Sequence, residues 1–390
     1  MREVQMLLRA NWNYPTSIRF GAGRIGELAE AVSAAGIARP LLVTDPNLAG
    51  SQMVQNARSV LQSGGVTAAI FSDIRPNPVG ANVTAGVEVF RTGGHDGVIA
   101  FGGGSALDVG KLVAFMAGQR RPIWNFEDVG DSWMRADADA IAPVVAVPTT
   151  AGTGSEVGRA GVVSDENTHT KKIIFHPRMM PKIAICDPEL TVGMPPAITA
   201  GTGMDALAHC LEAYCASGYH PLADGIAAEG VRLVKENLPR VMTDTRDLDA
   251  RAHMMAAALM GATAFQKGLG AVHALSHPVG ALYDTHHGMT NAVFMPYVLN
   301  FNRKAIEERI KRLAAYIGLR PSFRAFVDWL LRLREEVGVP HTLAALGVDS
   351  GRIDKIVAMA VKDPSAGGNP VAFDKRAART IFRRAMEGRV

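Results

Sequence analysis

Cysteine is scarce in this chain: Cys186, Cys210 and Cys215 are all it has, and no two form a C-x-x-C pair. An odd, unpaired set argues against a disulfide framework and for free thiols in a reducing compartment. The opening segment MREVQMLLRANWNYPTS carries too short an apolar run, broken by Arg9, to read as a signal peptide, and no stretch approaches a membrane span. A cytoplasmic protein is therefore expected. Aromatic residues make up only 6%, so the cores must be built from Ala, Val, Leu, Ile and Met. Nor is one sign of charge in clear excess: 41 basic and 37 acidic side chains leave a net +4, spread along the chain. The longest basic cluster, DKRAARTIFRRAMEGR, reads as the solvated face of a terminal helix, so no nucleic-acid partner is expected. Several catalytic signatures are also missing. Without H-E-x-x-H or G-x-S-x-G, the zincin and α/β-hydrolase classes lose their support.

What is present is an ordinary globular composition, 48% hydrophobic and 20% charged over 390 residues, which is long enough for two domains. The first half alternates short apolar runs (RPLLVTD, VTAAIFSD, DGVIAFGGGS, APVVAVPTT, PKIAICD) with Ala-rich amphipathic stretches such as RIGELAEAVSAAG. That alternation predicts a Rossmann-like α/β domain with a mostly parallel sheet and ligands at the carboxyl ends of its strands. Beyond CDPELTVGMPP the strand signals vanish and helical periodicity runs to the end, so an all-α domain should follow. The break is expected between Thr191 and Pro195, giving domains of residues 1–192 and 193–390.

Two glycine-rich loops follow strand-like runs. In VIAFGGGSALDVGKLVA, Gly102, Gly103 and Gly104 precede Ser105, which takes an N-cap position at the start of a helix. Glycine lets backbone approach a phosphate, and a helix N-terminus offers free N–H groups. The stretch reads equally as a tight strand-to-helix turn, for it is neither G-x-G-x-x-G nor a P-loop. The second loop, VAVPTTAGTGSEV, brings Thr149, Thr150 and Ser155, whose small hydroxyls could line a polar cofactor. Two such loops at one sheet edge favour a nucleotide. Asp45 ends LLVTD, where an acid could accept both ribose hydroxyls and repel the extra phosphate of NADP. The usual Rossmann acid follows the glycines, whereas Asp45 precedes them, so it reads equally as the start of the turn DPN.

Histidine is concentrated in GAVHALSHPVGALYDTHHG, with His273, His277, His286 and His287. His273 and His277 have i, i+4 spacing, as do Asp205 and His209 in GMDALAHCLEAY, and on a helix each pair shares a face. A lone histidine on an apolar helix is a satisfied core residue more often than a ligand. Two such pairs, one of them carrying the aspartate, and a further histidine, His287, form a set suited to a divalent first-row ion such as Fe²⁺ or Zn²⁺.

In combination, RPNP (Arg75 to Pro78), GGGSALDVGK, PTTAGTGSEV, DPELT, GMDALAHCLEAY and the histidine stretch, with a late Asn369–Pro370, resemble the iron-containing (group III) alcohol dehydrogenase family through nearly the whole chain. Six landmarks in order are specific where each alone is weak. The resemblance implies a dehydroquinate synthase-like architecture and a metal held by Asp205, His209, His273 and His287. His277 would stand beside it and relay the proton. It also implies that Gly102, Gly103, Gly104 and Ser105 hold a pyrophosphate and that Asp45 favours NAD over NADP. Asp108, Thr149, Thr150, Ser155 and Lys171 match positions near the nicotinamide half. Many members have PHG where this chain has HHG, so His286 stands in a proline's place, and the spacing from His273 selects His287. AFQKGLG is one residue shorter than the commoner loop, so an aromatic substrate contact from Phe265 does not carry over.

The implied reaction is hydride transfer between nicotinamide and a small alcohol or aldehyde whose oxygen a divalent metal polarises. The site is expected in the cleft between the domains of a homodimer or larger assembly. The metal is expected to be Fe²⁺, with Zn²⁺, Co²⁺ or Mn²⁺ as alternatives. Superfamily relatives acting on glycerol, hydroxy acids, phosphonoacetaldehyde or maleylacetate are competing readings, as are a dehydroquinate-synthase-like lyase and a protein that merely binds metal or nucleotide. Metal analysis, a substrate panel and net NADH turnover separate them.

Overall fold

The computed structural model describes residues 16–168 and 170–390. Its contacts divide into two compact units. One contains the described residues between 15 and 194 together with Arg246–Met255; the other contains Pro195–Thr245 and Ala256–Val390.

The first unit is built on strands β1 (Ser17–Phe20), β2 (Pro40–Thr44), β3 (Ala69–Phe71), β4 (Gly97–Gly102), β5 (Val144–Pro148), β6 (Ala160–Asp165), β7 (Thr170–Phe175) and β8 (Ile183–Cys186). Six form one sheet in the order β1-β8-β5-β4-β2-β3, every neighbour parallel. The five runs read as strands are β2, β3, β4, β5 and β8. The short edge strand β1 and the antiparallel hairpin β6–β7 were not anticipated. β1 spans four residues, SIRF, with polar and apolar residues mixed. The hairpin stands apart from the main sheet, and its first strand alternates buried with half-buried positions.

Helices α1 (Leu28–Ala34), α2 (Pro46–Ala49), α3 (Gln52–Ser63), α4 (Gly80–Thr92) and α5 (Gly104–Met116) connect the strands. Strand pleating sends alternate side chains to opposite faces, and the two cores follow from it. Leu42, Ile99, Phe101, Val145 and Val147 pack with Leu28, Val32 and Leu61 of α1 and α3. Leu41, Val43, Val98, Ala100 and Ala146 pack with Val83 and Phe90 of α4 and Val109 and Leu112 of α5. Each fully buried Val, Leu, Ile or Phe among them contributes about 1.5–3 kcal/mol. Because both faces are covered, the central strands read as unbroken apolar runs.

The second unit is helical: α6 (Pro196–Cys215), α7 (Pro221–Thr243), α8 (Leu248–Ala264), α9 (Ala271–Tyr283), α10 (His287–Tyr316), α11 (Phe323–Glu336), α12 (Ile353–Ala360) and α13 (Lys375–Glu387). The first turns of α8 group with the first unit. From Thr199 to Cys215, α6 is buried on every side, packed against α7 and α10, so its polar residues sit inside the protein. In α13, Ala377, Ala378, Ile381, Phe382 and Ala385 face inward, leaving the basic residues of that segment on the other side. No helix among the described residues is long and apolar enough to cross a membrane.

Candidate functional site

In the helical unit, the one-turn spacing on α6 brings Asp205 and His209 together, with His209 Nε2 3.9 Å from Asp205 Oδ1. His273, in the first turn of α9, and His287, the first residue of α10, come to the same carboxylate oxygen at 3.9 and 3.7 Å. One ligand atom from each of Asp205, His273 and His287 lies within 4.8 Å of the others. His209 adjoins this trio, its ring stacked on that of His273 at 4.7 Å between centroids. Asp205 and His273 are buried and His287 is partly open. His286 goes elsewhere: it precedes α10, and its Nδ1 accepts the Met289 N–H at 3.3 Å, capping the helix.

Glu212 was not singled out from the sequence. It follows Asp205 by two turns on the same face of α6, a spacing that was available to find it. Its Oε2 lies 2.6 Å from His273 Nδ1 and its Oε1 accepts the Val272 N–H at 2.7 Å. A carboxylate there keeps the proton on Nδ1 and leaves the Nε2 lone pair toward Asp205. Burial pulls the His273 pKa down, but the hydrogen bond and charge of Glu212, backed by Asp205 and Asp363, outweigh it and the net shift is upward.

His277, one turn along α9, has its Nδ1 2.8 Å from Asp363 Oδ2 and its ring stacked on His287 at 5.4 Å. Asp363 was also missed, because it caps a 3-10 turn, Pro364–Gly368, distant in sequence. Burial pushes its carboxyl up, but His277 and the Ser365 N–H outweigh burial and hold it below the usual carboxylate value. The Phe265 ring is 5.2 Å from that of His209, so an aromatic does border the cluster despite the shortened loop. Asn369 clasps the start of α9, accepting the Ala271 N–H at 3.2 Å while its amide pairs with Asn302.

In the α/β unit the chain order matters less than the strand order. β4 lies between β2 and β5, so the segments leaving the carboxyl ends of all three are neighbours. Asp45 thereby meets the glycines: its Oδ2 accepts the Gly103 N–H at 3.0 Å. Burial raises the Asp45 pKa, partly offset by that bond. Gly102 has φ +145°, and a Cβ there would fall onto Asp45 Oδ2. The next loop closes over the same point. Thr149 N–H bonds Gly102 O at 2.9 Å, and Thr150 and Thr153 lie against Gly103 and Gly104.

Ser105 is not the N-cap expected of it. Gly102 and Gly103 consume the turn, Gly103 becomes the N-cap, and α5 has begun at Gly104. The Ser105 hydroxyl instead donates to Pro76 O at 2.5 Å, tying the RPNP segment to the glycine turn. Asp108 and Ser155 are joined directly, Oγ to Oδ1 at 2.5 Å, and the other Asp108 oxygen accepts the Val162 N–H at 3.0 Å. Lys171 stands in β7, opposite Ser164.

Comparison with known proteins finds similarity along both units. The family described as iron-containing alcohol dehydrogenase matches residues 15–188, and its C-terminal family matches residues 199–386. The 4-hydroxybutyrate dehydrogenase of Cupriavidus necator is 38% identical over 384 residues, covering 96% of this chain and 98% of that protein. The NAD-dependent methanol dehydrogenase of Bacillus methanolicus is 34% identical over 369 residues, covering 92% and 95%. The crystal structure of a 1,3-propanediol oxidoreductase superposes with a TM-score of 0.91 at 34% identity, covering 97% of this chain and 100% of that one. With both halves matched and the fold shared throughout, this chain belongs to the iron-containing alcohol dehydrogenase family.

Proposed function

We propose that this protein is a metal-dependent, NAD(H)-linked dehydrogenase acting on a short primary alcohol or hydroxy acid and the corresponding aldehyde. The observation that carries this reading is the convergence of Asp205, His273 and His287, with His209 adjoining. One carboxylate and three imidazoles are a donor set that fits Fe²⁺, Zn²⁺, Co²⁺ or Mn²⁺, and the family's description favours iron. Bound there, a divalent ion would supply Lewis acidity to an alcohol oxygen, and NAD⁺ the hydride acceptor.

The chain's own residues supply position and proton handling. Glu212 holds His273 in one tautomer, and Asp205, His209 and His287 complete the ligand set. His277 keeps its Nδ1 proton against Asp363, so Nε2 is the atom that takes a proton from the alcohol and returns it to the aldehyde. Gly102, Gly103, Gly104 and Ser105 would receive the pyrophosphate at the start of α5. Asp45 would accept the ribose hydroxyls, which favours NAD over NADP. Thr149, Thr150 and Ser155, with Asp108 and Lys171, would border the nicotinamide half. Residues 1–192 would thus serve the cofactor and residues 193–390 the metal.

The 38% identical 4-hydroxybutyrate dehydrogenase makes a four-carbon hydroxy acid the first substrate to try. Three buried free thiols support a reducing, cytoplasmic setting, and a homodimer or larger assembly is the state to test by light scattering. The decisive experiment is anaerobic purification with Fe²⁺ followed by an NADH-coupled assay across short aldehydes, including that of 4-hydroxybutyrate. His273→Ala should lose the metal, whereas His277→Ala should retain it and lose rate. Stoichiometric metal in His273→Ala would overturn the ligand assignment.

A further inference from the structure

Asn291 stands one turn after His287 on α10 and is fully buried. Its Nδ2 is 2.8 Å from Asp205 Oδ1, 3.1 Å from His273 Nε2 and 3.1 Å from His287 Nε2. All three partners are acceptors in this arrangement. Asp205 offers a carboxylate oxygen, His273 has committed its Nδ1 proton to Glu212, and an imidazole nitrogen facing an N–H₂ presents its lone pair. The amide has two hydrogens for three lone pairs, so the point is better suited to a positive charge than to the group that stands there. On the other side of the carboxamide, Oδ1 is buried with no hydrogen-bond partner, so the side chain is anchored through its nitrogen alone.

We propose that Asn291 competes with the cation for these lone pairs: its carboxamide binds ligand atoms of three of the four residues that would hold the ion and so sets how tightly the ion is kept. The inference rests on the metal-centre reading above. A cation taking those lone pairs would displace the amide hydrogens from them, so the hydrogen bonds from Asn291 are given up when metal enters, while that between Glu212 and His273 Nδ1 is kept. Asn291 is then a positioning residue whose cost appears in metal affinity.

The test measures Zn²⁺ affinity by competition with a chromophoric chelator, and melting temperature with and without chelator, for wild type, Asn291→Ala and Asn291→Asp. In Asn291→Ala we expect affinity to rise about tenfold, as about one net hydrogen bond is no longer lost. The chelator-treated protein should melt about 1–2 °C lower. Asn291→Asp, the same size but an acceptor, should bind tighter still and be the least stable without metal. Unchanged or weaker binding in Asn291→Ala, with stoichiometric metal, would overturn the proposal. If neither variant folds, a crystal structure of the Zn²⁺-loaded wild type decides: Nδ2 moved off the three ligands supports competition, and Nδ2 still bonded to them refutes it. Failure of the underlying reading looks different, because wild type itself would then take up no Zn²⁺, or His273→Ala would bind it as well as wild type does.

Discussion

At the scale of single residues, one hydrogen bond sets His273 apart from an ordinary core histidine. His273 is buried and flanked by other rings, which a core histidine could equally be, but its Nδ1 lies 2.6 Å from Glu212 Oε2 and its Nε2 faces Asp205. Such carboxylate partners of a ligating imidazole tune metal affinity by about 10–100-fold. Glu212→Gln should therefore weaken metal retention within that range while leaving the fold intact, since a glutamine oxygen can still accept the Val272 N–H. Chelator competition on the loaded protein checks this, and unchanged affinity would reduce Glu212 to a structural clasp. Of these groups helical spacing, a local property, pointed to Asp205 with His209 and to His273 with His277, whereas His287 was reached through the family resemblance. Glu212 was accessible by the same spacing and was passed over. Asp363 was not accessible, because nothing near it in sequence announces His277 as its partner.

At the scale of elements, the seating of α5 on β4 aims the glycine loop. A Cβ at Gly110 would lie 2.7 Å from Ala100 Cβ and 3.2 Å from Ala100 Cα, so the absence of a side chain there sets how closely the helix approaches the strand. Gly110→Val must push α5 outward or strain it, and should cost about 1–3 kcal/mol of stability. Because the helix carries Gly104 and Ser105 at its start, NAD affinity should fall as well. Denaturant melts and NADH fluorescence titration measure the two effects, and an unchanged melt would disprove the close-contact argument. The strands buried on both faces were legible as long apolar runs. β1 and the β6–β7 hairpin were not, since a four-residue edge strand and a half-buried hairpin carry weak periodicity. The position of Ser105 likewise depended on how many glycines the turn consumed, a matter of backbone angles that composition does not encode.

At the scale of the whole molecule, stability should carry the mark of one buried acid. Glu156 is buried at the end of the second glycine-rich loop, and burial raises its pKa from 4.5 to about 7, opposed by its own backbone N–H and the Lys111 charge. A folded-state value above the unfolded one means the native protein binds the extra proton between those limits. The stabilisation is complete below pH 4.5 and is lost as pH rises through about 7. Thermal melts from pH 5 to 8 should fall more steeply for wild type than for Glu156→Gln; parallel slopes would remove Glu156 from the account. The same division between local and global information holds for the molecule at large. The sequence by itself determined the two textures of the chain, the parallel sheet and the candidate histidines, because strand and helix periodicities and turn residues act over a few positions. Only the tertiary structure decided that Asp45 bonds Gly103, since that follows from β2 lying beside β4, and that Asn291 and Glu212 join Asp205 and His273, since helix packing alone brings α6, α9 and α10 to one point.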